Sequence, residues 1–176
     1  NVRIIDANDI NYQIDGITAY EWREELDNWK EDVEFTMNYT QVQDLSVIMV
    51  LDESASLGED FEKVKQYASS FITNVLAEIP NARIGIVDFA DEIHTFPATN
   101  NKTALINYIA SLQQGPFTTL YESVNVGIDM LEDMDAEAKV LLVFTDGTDN
   151  NSDPEFTPTY ILDRLNNTTS DVKITS

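Results

Sequence analysis

Three short segments concentrate side-chain oxygens: Asp52-Glu53-Ser54-Ala55-Ser56, Thr118-Thr119 and Thr145-Asp146-Gly147. Asp52, Ser54 and Ser56 stand at i, i+2 and i+4, so an extended turn aims all three the same way. Joined by Thr118 and Asp146, they make two carboxylates and three hydroxyls, with no nitrogen or sulfur ligand. Such a set suits a hard divalent cation, Mg²⁺, Ca²⁺ or Mn²⁺. Two carboxylates balance a divalent charge but leave the coordination shell incomplete, so an acidic group of a partner can enter an open position. Each residue also has a plainer reading. Ser54, Ser56 or Thr118 can cap a helix, and Asp146 can serve a turn before Gly147.

The elements that must position these groups are legible. Ser46-Val47-Ile48-Met49-Val50-Leu51 is a continuous apolar run of the kind that forms a strand buried on both faces. Residues 140–144 form a second such run, and residues 83–89 a third, with residues 92–96 as a short edge strand beside it. Phe61, Val64, Tyr67, Ala68, Phe71, Ile72, Val75, Leu76 and Ile79 recur at helical spacing until Pro80. Leu105, Ile106, Ile109 and Leu112 mark a second helix, broken at Gln114-Gly115-Pro116. Leu120, Val124, Ile128 and Leu131 mark a third, and residues 159–165 a short fourth. Residues 172–174 open a further strand. This alternation implies an α/β, doubly wound, mostly parallel sheet with helices on both faces. In such sheets ligands sit at the carboxyl ends of the strands, where the three oxygen-rich loops fall. The chain stops inside the last strand, so the C-terminal part of the fold is expected to be truncated.

Composition narrows the partners. The 176 residues include 32 Asp and Glu against 10 Lys and Arg, a formal net charge of −22. Nucleic acid is disfavoured, because phosphate binding needs a basic face, and so are anionic membranes. Cations are the natural counter-partners of so acidic a protein. No cysteine is present, which removes disulfides, thiol nucleophiles and thiolate metal sites. The one histidine, His94, lies outside the three loops and reads as a structural strand residue, so a serine triad has no base. No substrate suggests itself and the expectation is a non-enzyme. No apolar run approaches a membrane span. Asn1-Val2-Arg3-Ile4-Ile5 shows no signal peptide, as a mature secreted chain would also show none. Asp146, Asp149, Asp153 and Glu155 lack EF-hand spacing and read as a solvated loop. Asn-x-Ser/Thr triplets at Asn38, Asn101 and Asn150, among others, match glycosylation sequons.

The three loops and their strands resemble the von Willebrand factor A domain family, integrin I-like in type. Residues 47–56 look like the family's opening strand and Asp-x-Ser-x-Ser loop. Ile84-Gly85-Ile86-Val87-Asp88-Phe89 looks like its second strand, Thr118-Thr119-Leu120-Tyr121-Glu122-Ser123-Val124 like its middle loop, and Leu142-Val143-Phe144-Thr145-Asp146-Gly147 like its third. The likeness runs in the right order from Leu45 to Ser176. It implies a metal-ion-dependent adhesion site, with Asp52, Ser54, Ser56, Thr118 and Asp146 at its five positions and an acidic ligand group completing the shell. Thr118 is preferred to Thr119 because it stands two before Leu120. Glu53, Thr119 and Tyr121 flank these five and are expected at the ligand contact. Two departures stand out: Leu57 where methionine is common, and Glu53 where a small or neutral residue is frequent.

Residues 1–44 read as a β-rich N-terminal segment, in part of a neighbouring immunoglobulin-like domain, with residues 45–176 as the A domain. Strands are expected at residues 2–6, 11–14 and 33–39, and residues 20–29 read as a short helix or a charged hairpin. The segment weakly resembles a leader that precedes some bacterial secreted A domains. The expected function is a metal-dependent protein-binding or adhesion module of a secreted or cell-surface protein, bacterial in origin. Its partner would be a protein with an acidic side chain, or neighbouring subunits of an assembly. Two alternatives stay open: a structural module of an extracellular assembly in which the metal only orders the loops, and an intracellular subunit of a metal-chelatase or ATPase complex.

Overall fold

The computed structural model describes residues 19–23, 28–32, 44–167 and 174–175. The chain divides into two compact units, Asn1–Gln41 and Val42–Ser176. In the first, β1 (Ala19–Arg23) and β2 (Asn28–Asp32) pair antiparallel, with Trp22 opposite Trp29. Of the two readings of residues 20–29, this is the hairpin. The strands expected at residues 2–6, 11–14 and 33–39 lie outside the described residues.

The second unit is built on a sheet of order β5-β4-β3-β6-β7. β3 (Leu45–Asp52) lies at its centre, parallel to β4 (Arg83–Phe89) on one side and β6 (Ala138–Phe144) on the other. β7 (Ile174–Thr175) continues the parallel order beyond β6. β5 (Ile93–Thr99) runs antiparallel to β4 at the opposite edge. The apolar runs become central strands because both faces are covered. α1 (Phe61–Glu78) and α2 (Lys102–Ser111) pack on one face, over Val47, Met49, Leu51, Ile84 and Ile86. α3 (Leu120–Glu132) and α4 (Pro158–Asn167) pack on the other, over Ile48, Val50, Val87, Leu141 and Val143. Each such fully buried aliphatic side chain contributes about 1.5–3 kcal/mol. Of the expected α1 stripe, Val64, Phe71, Leu76 and Ile79 are partly buried and Tyr67 is 64% exposed, at the margin of an apolar face narrower than the periodicity suggests.

Register decides what meets at the strand ends. Asp52 pairs with Phe89 in β4, and Leu51 with Phe144 in β6. The last residues of all three parallel strands therefore lie level, and the loops that follow leave the sheet side by side. Between β3 and α1 the chain makes a 3₁₀ turn, Ala55–Asp60, around Gly58 at φ 50°, a conformation that suits glycine because it has no Cβ.

Candidate metal centre

Asp52 ends β3 and is wholly buried, 0% exposed. Its Oδ1 accepts the Ser54 backbone N–H at 2.7 Å. Its Oδ2 accepts the Thr145 hydroxyl at 2.6 Å, and Thr145 Oγ1 accepts the Gly147 N–H at 3.1 Å. Among the described residues no ion pair neutralises this carboxylate. A buried charge is costly unless it is paired or binds a metal, and here two neutral donors are all the protein supplies.

Thr118 stands next to it and is 3% exposed. Its backbone is fixed from both sides by Asn150: the Thr118 N–H donates to Asn150 Oδ1 at 2.9 Å, and the Thr118 carbonyl accepts the Asn150 N–H at 3.0 Å. Its hydroxyl makes no hydrogen bond among the described residues. A Cβ placed on Gly147 would lie 3.5 Å from Asp52 Oδ2 and 3.6 Å from Thr118 Oγ1. The two oxygens thus border one small space that glycine keeps clear. The Thr118 hydroxyl has no protein partner and keeps some contact with solvent, so an oxygen open to a ligand stands beside a buried carboxylate that no ion pair neutralises, a pairing that fits a hard cation.

The remaining three residues form a chain along the rim. Ser54 Oγ and Ser56 Oγ are 2.8 Å apart in a hydrogen bond, and the Ser56 hydroxyl donates to Asp146 Oδ1 at 3.3 Å. Ser54 is buried, while Ser56 and Asp146 are exposed. The structure therefore brings all five expected residues to one place. The capping alternative does not account for them. Ser54 makes no side-chain capping bond, and Thr118 precedes the cap position of α3, which is Thr119. Nor does Asp146 hold its turn, because the Gly147 N–H goes to Thr145.

The three loops are laced by backbone bonds. Ala55 N–H donates to Gly115 O at 2.8 Å, Gly115 N–H to Glu53 O at 2.9 Å, and Thr119 N–H to Ala90 O at 3.1 Å. Side chains beyond the expected set fasten the loop after β6 to the start of α3. Asp149 Oδ2 accepts the Tyr121 N–H at 2.8 Å and the Ser152 hydroxyl at 2.5 Å. Ser152 Oγ in turn accepts the Glu122 N–H. The reading of Asp149 as a solvated loop carboxylate is thus corrected: it is partly buried and engaged at a helix N-terminus, where carboxylates are favoured. Thr145, Asp149, Asn150 and Ser152 were missed. The only signal was their density immediately after a buried strand.

Of the residues expected at the ligand contact, Tyr121 is half-buried at the start of α3. Thr119 is buried, its hydroxyl donating to Ala90 O at 2.6 Å and accepting from Asn151 Nδ2 at 2.9 Å. Glu53 is only 7% exposed and its Oε1 has no partner. Burial, reinforced by the nearby Asp88 carboxylate, pushes its carboxyl up to about 7, against the opposing pull of the Gln113 N–H and Lys65. Asp88 is buried too. It accepts the Tyr108 hydroxyl at 2.6 Å and lies 3.4 Å from His94 Nδ1. Burial, then this bond to Asp88, holds the Tyr108 phenol well above its usual range. The structure does not bring Glu53 and Thr119 to a surface that a partner can touch.

Among the described residues no three His, Asp or Glu side chains cluster as a metal site. The candidate centre draws on hydroxyls as much as carboxylates. The fold that carries these residues has counterparts. The model of the von Willebrand factor type A domain matches residues 46–170.

The chain belongs to the von Willebrand factor type A domain family. Comparison with curated protein sequences gives no match. Among solved structures, the vWF domain of the type V pili tip protein Mfa5 from Porphyromonas gingivalis is 19% identical with a TM-score of 0.58, over 62% of this chain and 40% of that one. The hypothetical protein BatB from Bacteroides thetaiotaomicron is 19% identical with a TM-score of 0.59, over 74% and 65%. The PilB minor pilin from Streptococcus sanguinis is 19% identical with a TM-score of 0.55, over 63% and 31%. At these identities the likeness is one of fold, and this chain spans less than two thirds of each of these proteins. No described helix of this A domain is long and apolar enough to cross a membrane.

Proposed function

We propose that this A domain is a divalent-metal-dependent protein-binding module of a bacterial cell-surface or secreted protein, and that it is not an enzyme. Asp52, Ser54, Ser56, Thr118 and Asp146 would hold Mg²⁺, or Ca²⁺ or Mn²⁺ in its place. The ion would present a Lewis-acidic position to a carboxylate of the partner. The observation that carries this reading is the free Thr118 hydroxyl facing the same space as Asp52 Oδ2. The laced loops would keep that geometry before any partner arrives, so the cost of ordering them is already met. This lacing weighs against a metal that serves only to order the loops. The domain's fold neighbours include a pili tip protein, a minor pilin and the pilus adhesin SpaC from Lactobacillus rhamnosus GG, which favours surface adhesion or assembly over an intracellular complex.

Water-proton relaxation with bound Mn²⁺ tests the open position. The Mn²⁺-loaded chain is expected to show exchangeable bound water that added acetate displaces, and Asp146→Ala is expected to weaken the binding. Mn²⁺ that binds with the same affinity to Asp146→Ala, or whose water signal ignores acetate, overturns the reading.

A further inference from the structure

The loops at the carboxyl end of the sheet, residues 53–60, 90–92, 113–119 and 145–157, contain no Lys, Arg or His. They expose Glu59, Asp91, Glu92, Asp146, Asp153 and Glu155 at the end of the sheet where Thr118 stands. The basic groups that adjoin these loops in sequence are each engaged: Lys63 with Asp60 and Lys65 with Glu62 at the start of α1, both at 2.6 Å, and His94 at the start of β5 against Asp88 and Glu92 at 3.4 and 3.6 Å. Arg83 and Lys139 begin parallel strands, and Lys102 follows antiparallel β5, so all three lie at the opposite end. The domain is polarised along its strands. One apolar feature interrupts the acidic crest: Phe117, next to Thr118, is 48% exposed.

We propose that the partner carboxylate reaching this site lies in a basic polypeptide segment, with Lys or Arg side chains flanking it and an apolar side chain available to Phe117. The inference rests on the metal-bridged reading above and names its partner. A divalent ion rewards one partner carboxylate. Every further carboxylate in the partner meets repulsion from these exposed acids, which reaches about one Debye length, roughly 8 Å at physiological salt. Flanking ammonium or guanidinium groups remove that repulsion and steer the encounter. An acidic polysaccharide, with many carboxylates and no cations, is repelled.

Three short synthetic peptides test this on the intact chain with saturating Mg²⁺ at low salt, read by calorimetry. The first has one Asp flanked by Lys, the second has the same Asp flanked by Glu, and the third keeps the Lys flanks but replaces Asp with Asn. The first is expected to bind at least roughly tenfold more tightly than either other, with the margin shrinking as salt rises. Asp91→Lys with Asp153→Lys is expected to shift preference toward the Glu-flanked peptide. Equal binding of the first two peptides overturns the inference while leaving the metal-bridged reading intact. Equal binding of the first and third, unchanged by EDTA, removes the metal-bridged reading itself. No binding by any peptide to Mg²⁺-loaded chain also overturns the inference.

Discussion

The Thr145 hydroxyl donates to Asp52 Oδ2 at 2.6 Å across 93 positions of sequence, joining the ends of β3 and β6 at the point where the buried carboxylate has fewest alternatives. Thr145 also accepts the Gly147 N–H, so one hydroxyl both solvates Asp52 and shapes the turn beside it. Thr145→Val is expected to destabilise the metal-free chain by about 1–3 kcal/mol, with Thr145→Ser restoring most of the loss. Urea denaturation in EDTA measures it, and a Val variant as stable as the parent would show that the bond is dispensable.

Gly147 keeps clear the space that Asp52 and Thr118 share. An added Cβ would meet Thr118 Cγ2 at 3.2 Å, which a small movement relieves, but it would stand in front of both oxygens. Gly147→Val is therefore expected to lower metal affinity by roughly tenfold or more while costing the fold only about 1 kcal/mol. Metal titration alongside thermal unfolding separates the two effects. Unchanged affinity in the folded variant would mean that the ion, if bound, sits elsewhere.

Asp149 fastens the β6–α4 loop to the first turn of α3 through Tyr121 N–H and Ser152. Asp149→Ala is expected to cost about 1–2 kcal/mol and to speed amide hydrogen exchange at Tyr121 and Ser152, leaving β3 protected. Exchange rates in this loop identical to those of the parent would refute the tether.

Glu53 gives a pH signature. Burial pushes its folded pKa up to about 7, above the ordinary 4.5 of a glutamate, so between these values the folded state holds more proton than the unfolded. Stability from this group is intact below about pH 4.5 and falls as pH rises through 7. Glu53→Gln, in EDTA, is expected to stabilise the chain by roughly 2 kcal/mol at pH 8 and to change little at pH 4.5. Denaturation at the two pH values reads it, and a variant less stable than the parent at pH 8 would contradict the assigned burial.

The fold was largely legible in the sequence because strands buried on both faces must be continuously apolar, as residues 46–51 and 140–144 are. Asp52, Ser54, Ser56 and Asp146 were legible as candidates because they follow such strands, whereas Thr118 follows α2 and was singled out by its place two before Leu120. The ties around them were not. Asn150 to Thr118 and Asp149 to Tyr121 join residues about thirty positions apart, and no local pattern announces such bonds. Glu53 is different. Side chains along an extended segment alternate faces, so a neighbour of Asp52 must turn away from the side that Asp52 faces. That signal was present, and it predicts the burial that the structure describes. Tyr67 shows the converse limit: helical spacing fixes the direction of an apolar face but not its width.

The central claim is that Thr118 and Asp52 share one ion. Calorimetric titration of Mg²⁺ and Mn²⁺ into the intact chain and into Thr118→Val tests it most directly. The parent is expected to bind about one ion, raising stability by about 2.7 kcal/mol at a hundredfold excess over the dissociation constant. The valine variant is expected to melt like the parent in EDTA but to bind at least roughly tenfold more weakly. Equal affinity in a folded Thr118→Val chain, or no metal binding by the parent, would contradict the account.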